Sequence, residues 1–159
     1  MEMTRRQLLA LSLCALPVGA KGVLDWQREN LLIADALQRS RSTARLFRVA
    51  GTVAKSASGQ LFHAYPVRGQ ASLSASARSE LLSALIQSLR AYSITDGVSA
   101  NFSPSYGLRL ESKAGVEADL LISFQTNQLY YFTRGRPLHG RLRGGEDRFQ
   151  RIARSLGLA

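Results

Sequence analysis

Apolar and polar residues alternate with period two through much of the second half of the chain, over residues 106–111, 116–124 and 129–133. Successive side chains of an extended strand point to opposite faces of its sheet. Such alternation therefore buries one face and leaves the other wetter, as in antiparallel sheets. Short polar turns at residues 113–115 and 126–127 separate the three segments. The pattern predicts three consecutive antiparallel strands.

The first part of the chain predicts one helix and two strands. Apolar residues recur at helical spacing over residues 25–38, and Asp25 is a suitable N-cap. Strand patterns follow over residues 46–53 and 61–67. Because proline cannot donate a hydrogen bond to a ladder, Pro66 places the second of these strands at a sheet edge or at its own end.

Two more helices complete the predicted elements. A leucine stripe follows Ser72 and Ser74, either of which can cap a helix, and a last helix begins near Glu146 and ends at Gly157. The order α-β-β-α-β-β-β-α lacks βαβ alternation. It therefore predicts a single α+β domain over residues 21–159, with an antiparallel meander sheet of about five strands and helices on one face.

Residues 1–20 have the layout of a secretory signal peptide. Arg5 and Arg6 precede an apolar run over residues 8–16, and small residues follow at 18–20. The run is too short for a membrane-spanning helix, which needs about 20 residues. We therefore predict removal of residues 1–20 and a periplasmic or secreted protein. The paired arginines also fit a twin-arginine signal, and the general export route is the alternative.

The composition excludes cysteine chemistry and indicates the charge of a partner. Cys14 is the only cysteine and lies in the predicted leader, which excludes disulfides, cysteine metal sites and thiol catalysis from the exported chain. The chain carries a net charge of +10, and after the leader only Lys21, Lys55 and Lys113 are lysines. Because arginine binds carboxylates and phosphates bidentately, we expect an anionic partner. The alternative is that the arginines only keep the surface soluble.

The two histidines give little support to catalysis. No serine lies in a G-x-S-x-G elbow, and no His-x-His, H-E-x-x-H or calcium-loop spacing occurs. His63 lies in a strand pattern, where a packed or surface role is expected. His139 lies in a segment rich in glycine and arginine, residues 135–145, which we predict to be a solvated loop. We expect no catalytic residue, no metal and no cofactor.

Glu117 and Asp119 are the candidate carboxylate pair for hydrolysis. Two positions apart on a predicted strand, they are expected on the same face, where two carboxyl groups can serve glycoside hydrolysis. We favour the alternative that they form ion pairs with arginines of neighbouring strands, such as Arg109 or Arg134.

Arginines concentrate in the C-terminal region, where Glu146 and Asp147 are the local acids. An exposed tyrosine beside arginines resembles an interface hot spot, although Tyr130 also fits a place in the core. Nucleic acid would be attracted electrostatically, but export argues against that partner. The candidate binding residues are Arg134, Arg136, Arg141, Arg143, Arg148, Arg151 and Tyr130.

Three short strings resemble a group of small uncharacterised bacterial proteins. They are His-Ala-Tyr-Pro-Val at residues 63–67, Phe-Ser-Pro-Ser-Tyr-Gly-Leu-Arg at 102–109 and Asp-Leu-Leu-Ile-Ser-Phe at 119–124. The resemblance extends over roughly residues 46–156 and implies a shared fold more than a shared activity. The group's pattern carries cysteines where this chain has Asn101, Ser123 and Thr126. Any redox or metal chemistry of those cysteines is therefore missing here.

These observations predict an exported, non-catalytic binding protein. We expect an acidic protein partner in the cell envelope or outside it, as for an inhibitor, an immunity-type protein or an accessory subunit. The alternative is an anionic polymer or a lipid surface, bound through the arginine-rich C-terminal region. A weak hydrolase that uses Glu117 and Asp119 is a third possibility.

Export has a direct test. Because the leader ends in small residues of the kind found at signal peptidase sites, the native protein should begin near Lys21. Intact-mass spectrometry of protein from the envelope or the medium should show the loss of residues 1–20. A soluble cytosolic species that keeps Met1 would contradict the prediction.

Overall fold

A computed structural model describes residues 23–55, 59–93 and 101–159. The predicted leader lies outside these ranges, and no helix within them is long and apolar enough to cross a membrane. The elements are α1 (Val23–Arg39), β1 (Thr43–Val49), β2 (Leu61–Phe62), β3 (Tyr65–Ser72), α2 (Ala75–Ala91), β4 (Tyr106–Ser112), β5 (Gly115–Ser123), β6 (Gln128–Phe132), β7 (Leu138–Arg141) and α3 (Glu146–Ser155).

The described strands form one sheet in the order β2-β3-β1-β4-β5-β6-β7, and all neighbours are antiparallel. The helices pack on one face. Leu46, Leu108 and Leu120 project from that face and are fully buried against helix residues such as Leu85 and Phe149. The predicted α+β class and the helix-covered face are confirmed.

The expectation of about five strands was wrong, because the sheet has seven strands within the described residues. The predicted strand over residues 61–67 is a hairpin, β2 and β3, because His63 and Ala64 adopt φ values of 48° and 72° and turn the chain. Two successive residues with positive φ form the tight turns that join antiparallel strands. The predicted loop over residues 135–145 also contains a strand, β7.

Two helix ends follow the predicted chemistry. Ser74, rather than Ser72, caps α2, and its hydroxyl accepts a hydrogen bond from the Ala77 backbone N–H at 3.2 Å. Gly157 has a φ of 73°, and its N–H donates to the Arg154 carbonyl at the end of α3.

The free edge of β7 is hydrogen-bonded by side chains of α1. The Asn30 carboxamide accepts from the Arg141 N–H at 2.7 Å and donates to the Arg141 carbonyl at 2.9 Å. It also donates to the Leu89 carbonyl at 2.8 Å, and the Glu29 carboxylate accepts from the His139 N–H at 2.7 Å. These side chains therefore satisfy backbone groups that a further strand would otherwise bind.

Close packing at this edge depends on a glycine. A Cβ on Gly140 would lie 2.9 Å from a Leu89 methyl carbon and 3.1 Å from an Ile33 methyl carbon. The missing side chain lets α1 approach β7 closely enough for Asn30 to reach its backbone.

Replacing Asn30 with alanine should lower the free energy of unfolding by about 2–4 kcal/mol, because it leaves buried backbone groups without partners. Urea denaturation followed by circular dichroism measures the change. Gln27→Ala, at an exposed position of the same helix, is the matched control and should change stability by less than about 0.5 kcal/mol. Equal stability of the two variants would contradict this account of the edge.

Candidate functional site

The face of the sheet opposite the helices, here called the second face, holds its own aromatic cluster. Phe47, Val49, Phe62, Tyr65 and Leu121 are buried there, and partly exposed aromatic residues pack against them. Because this face combines apolar rings with ionised side chains, it is the candidate functional site. Two polar clusters lie on it.

The first cluster joins Arg109, Asp119 and His63. Arg109 on β4 lies directly opposite Asp119 on β5, and its Nε and Nη2 donate to the two carboxylate oxygens at 2.8 and 2.9 Å. His63 Nε2 lies 2.8 Å from Asp119 Oδ2. The expected ion pair between Asp119 and Arg109 is therefore confirmed, and both carboxylate oxygens are engaged.

Local backbone geometry brings His63 to this carboxylate. The turn between β2 and β3 carries the imidazole over the sheet, where it stacks on Phe132 with 4.3 Å between ring centroids. Phe62 reaches the sheet because Gly107 has no side chain, and a Cβ there would lie 2.6 Å from the Phe62 ring. The Arg109 guanidinium lies 5.4 Å from the Phe62 ring centroid. The cluster thus fastens the hairpin to the second face.

Electrostatics favour the ionised form of Asp119. Burial acts to raise the pKa of this carboxyl, but the hydrogen bonds from Arg109 and His63 outweigh burial and hold the pKa below its usual value. The hydrogen bond to Asp119 is also the main reason that the pKa of Arg109 is raised. The structure therefore keeps a charged pair inside a largely apolar surface.

Glu117 does not share this face, so the expectation that Glu117 and Asp119 lie on the same face was wrong. A bulge in β5 makes Glu117 the extra residue between Val116 and Ala118, which pair with Glu111 and Leu110. Glu117 instead accepts a hydrogen bond from the Ser42 hydroxyl. That bond, with a second from Ser112, lowers the pKa of Glu117.

The Glu117 side chain lines a shallow cleft beside the C-terminal end of α1. The cleft has a volume of about 440 Å³ and also contains Arg39, Arg41 and Tyr131. Burial raises the pKa of the Tyr131 hydroxyl, with a smaller contribution from the charge of Glu117. Glu117 and Asp119 therefore lie in separate environments and cannot act on one substrate bond together.

The second cluster, here called the Arg141 cluster, consists of Arg141, Trp26, His139, Tyr130 and Gln128. The guanidinium carbon of Arg141 lies 4.3 Å from the Trp26 ring centroid. The His139 ring lies between Tyr130, stacked at 4.2 Å, and Trp26, edge-on at 4.5 Å. His139 Nε2 lies 3.1 Å from the Gln128 amide oxygen. Burial lowers the pKa of Arg141, and nearby tyrosines oppose that effect.

The structure corrects the expected surroundings of three residues. Arg141 was expected at the surface, but its side chain is only 1% exposed, because pairing of β7 with β6 turns it onto the second face beside Trp26. His139 is buried rather than solvated for the same reason. Tyr130 is half-buried among aromatic rings, which agrees with the alternative prediction that it belongs to the core.

The remaining candidate arginines lie in two other places. Arg134 and Arg136 are exposed in the loop between β6 and β7, where Arg136 forms a 3.0 Å ion pair with Glu29. Arg143, Arg148 and Arg151 lie beside α2 or on α3. The predicted residues therefore do not form one continuous patch, and their binding role stays a prediction.

Sequence reasoning did not single out Trp26, Asn30 or Gln128 as site residues. Trp26 fits the apolar stripe of its helix. Such a stripe shows which face of the helix is buried, but it does not show that the Trp26 ring will extend past the edge of the sheet. Asn30 offered a weak signal, because a carboxamide within an apolar stripe must find buried partners.

Comparison of the chain with known protein families, with curated proteins and with solved structures finds no match. The resemblance to small bacterial proteins therefore stays a prediction. Two positions of its cysteine pattern are in contact, since the Thr126 hydroxyl donates to the Ser123 hydroxyl at 2.8 Å. Within residues 23–55, 59–93 and 101–159, no group of three or more histidine, cysteine or acidic side chains is placed to hold a metal ion.

Asp119→Asn should destabilise the protein at neutral pH by about 2–4 kcal/mol, because it leaves Arg109 without its carboxylate. The folded-state pKa lies below the unfolded value of about 3.9, so the ionised carboxyl stabilises the fold above that pH. This stabilisation is lost as the pH falls through the lowered pKa. Urea unfolding between pH 2 and 7 measures both effects.

The variant should therefore show a shallower loss of stability in acid than the wild type. Glu117→Gln is the control, since its exposed carboxylate lies off the second face and should leave the neutral-pH stability within about 0.5 kcal/mol. Parallel acid profiles for wild type and Asp119→Asn would contradict a role for the Asp119 charge.

Proposed function

We propose that the chain is an exported, non-catalytic binding protein that engages an acidic protein partner. The observation that carries the proposal is a pair of neighbouring leucines on the outer side of α1. Leu31 and Leu32 are 56% and 48% exposed, although most large apolar side chains of the described chain are buried. Adjacent exposed apolar side chains are favourable to cover with a partner surface.

The charge around these leucines favours an acidic partner. Arg28 is exposed one helical turn before Leu32, and Arg136 is held beside the same helix by its ion pair with Glu29. Arg134 is exposed in the same loop. Positive groups around an apolar centre steer an acidic partner and select against basic ones.

The state of the carboxylates also favours binding over hydrolysis. Asp119 already forms hydrogen bonds through both oxygens, and the bulge at Glu117 separates the two acids. A glycosidase needs two carboxyl groups that flank one bond, with one free to take or give a proton. We therefore assign Asp119 to the attachment of the β2–β3 hairpin.

A second candidate is binding to an anionic polymer or lipid surface through the C-terminal region. Arg143, Arg151 and Arg154 are exposed around α3, which favours contact with a repeating anion. Local acceptors weaken this candidate, since Arg148 lies 3.7 Å from Glu80 and Arg154 donates to Gln150. Binding of this kind would depend on charge alone, so its affinity would fall steeply as the salt concentration rises.

The test is affinity capture from an envelope extract with full-length protein at 150 mM salt. We expect one stoichiometric protein partner, with a loss of more than tenfold in binding for Leu31→Ser plus Leu32→Ser, because an apolar centre is removed. Val116→Ser is the matched control, since Val116 is 45% exposed on β5 and should keep full binding.

A second double variant, Arg28→Glu plus Arg134→Glu, tests the role of the arginines. It should associate with the partner more slowly, and its association should depend less on salt. Capture that is unchanged in the double-serine variant would contradict the role of α1. Steeply salt-dependent retention of polymer, without any stoichiometric protein, would favour the second candidate.

A further inference from the structure

The guanidinium of Arg141 is buried without a hydrogen-bond acceptor. Its side chain is 1% exposed, and Nε, Nη1 and Nη2 have no acceptor among the residues that the structure describes. Arg78 is different, because only its Nε lacks an acceptor while Nη2 donates to the Ser40 carbonyl at 2.7 Å. Removing a guanidinium from water without replacing its hydrogen bonds is strongly unfavourable.

The aromatic neighbours of Arg141 offset only part of this cost. The guanidinium carbon of Arg141 lies over the Trp26 ring, 4.3 Å from the ring centroid. Such a contact is weaker than the hydrogen bonds to water that the guanidinium gives up. An aromatic ring does not satisfy the N–H donors of a guanidinium, so Nε, Nη1 and Nη2 stay buried without an acceptor in the described part of the chain.

The rest of the cluster holds the surroundings of the guanidinium in place. Arg141 is anchored at its backbone by Asn30, and Trp26 is held edge-on against His139, which stacks on Tyr130. A planar donor fork that is held rigidly before binding loses little side-chain entropy when an acceptor arrives. This is the geometry of a binding group rather than of a solvated surface charge.

We propose that the Arg141 cluster is a binding site for a carboxylate, which accepts hydrogen bonds from two N–H donors of Arg141 beside the Trp26 ring. A carboxylate matches the fork in shape and carries a single charge. A phosphate dianion matches the fork as well, but two charges are costlier to dehydrate among aromatic rings. The carboxylate comes from a small organic acid or from an acidic side chain or C-terminus of a protein.

The proposal stands on the Arg141 cluster and does not depend on the partner surface of α1. It also implies that the buried guanidinium, unpaired within the described residues, reduces stability. Replacing a buried charge with an apolar side chain of similar length is often neutral or stabilising, whereas breaking a satisfied pair is strongly destabilising. Arg141→Met should therefore unfold at the same urea concentration as the wild type or at a higher one.

The chain supplies its own reporter, because Trp26 is its only tryptophan and contacts Arg141. Full-length protein at pH 7 is titrated with sodium acetate, sodium benzoate, inorganic phosphate and a hexaglutamate peptide, with sodium chloride holding the ionic strength constant. We expect a saturable change in tryptophan fluorescence with a carboxylate probe and a weaker response to phosphate. A response to acetate or benzoate identifies a small acid, and a response to the peptide alone identifies a protein carboxylate.

Variants decide whether Arg141 is the binding group. Arg141→Met should bind the responding probe at least tenfold more weakly, and Arg151→Met, at an exposed position on α3, should bind it as the wild type does. Arg141→Lys is a second variant, since it keeps the charge, loses the planar fork and should also weaken binding.

Several results would overturn the proposal. They are an unchanged response in the Arg141 variant, no saturable response to any carboxylate probe, and tighter binding of phosphate than of every carboxylate. A strongly destabilised Arg141→Met would also overturn it, because that result indicates an internal counter-ion. Asp96 lies outside the described residues, and the variant Asp96→Asn tests whether it is such a counter-ion. A loss of stability in Asp96→Asn as large as that in Arg141→Met would count against the proposed site.

Discussion

Hydrogen bonds between the Asn30 carboxamide and the backbone of β7 hold the sheet edge against α1. Without a neighbouring strand, the edge would expose unpaired backbone groups, and a side chain that both donates and accepts can replace one residue of a ladder. The same contact determines which side chains of β7 face the helices. Gly140 lies toward α1, so His139 and Arg141 must project onto the second face.

The two polar clusters of the second face treat buried charge in opposite ways. Asp119 is surrounded by donors, and these outweigh the effect of burial on its pKa. Arg141 lies beside the Trp26 ring and has no acceptor for its guanidinium among the described residues, and burial lowers its pKa. A satisfied ion pair gives the hairpin a unique position. An unsatisfied guanidinium keeps its capacity for an anion, at a cost in stability.

Elements with strong local signals could be predicted from the sequence. The leucine stripe of α2, the serine before it and the glycine after α3 act through residues three or four positions away, and the structure has each of them. The alternation in β4, β5 and β6 placed Arg109 and Asp119 on neighbouring strands, where they form an ion pair. The bulge at Glu117 shows the limit of this reasoning, because one extra residue reverses the face of a side chain.

Features that depend on distant contacts were not predicted. The turn at His63 and Ala64 uses two residues other than glycine in the left-handed region, and its imidazole binds a carboxylate 56 positions along the chain. Strand β7 has four residues, too few for a period to be recognised, and its edge is stabilised by a side chain 111 positions away. Loops rich in glycine and arginine resemble such a strand when only the composition is considered.

The α+β class, the positions of the helices, the alternation of the central strands and the strong excess of arginine can all be predicted from the amino-acid sequence. Each of these follows from short-range geometry or from composition. The folded chain, in contrast, sets where the arginines lie, which of them meet an acid and which is buried beside Trp26. Burial and ion pairing depend on which distant residues the chain brings together, and that information is not contained in any local pattern.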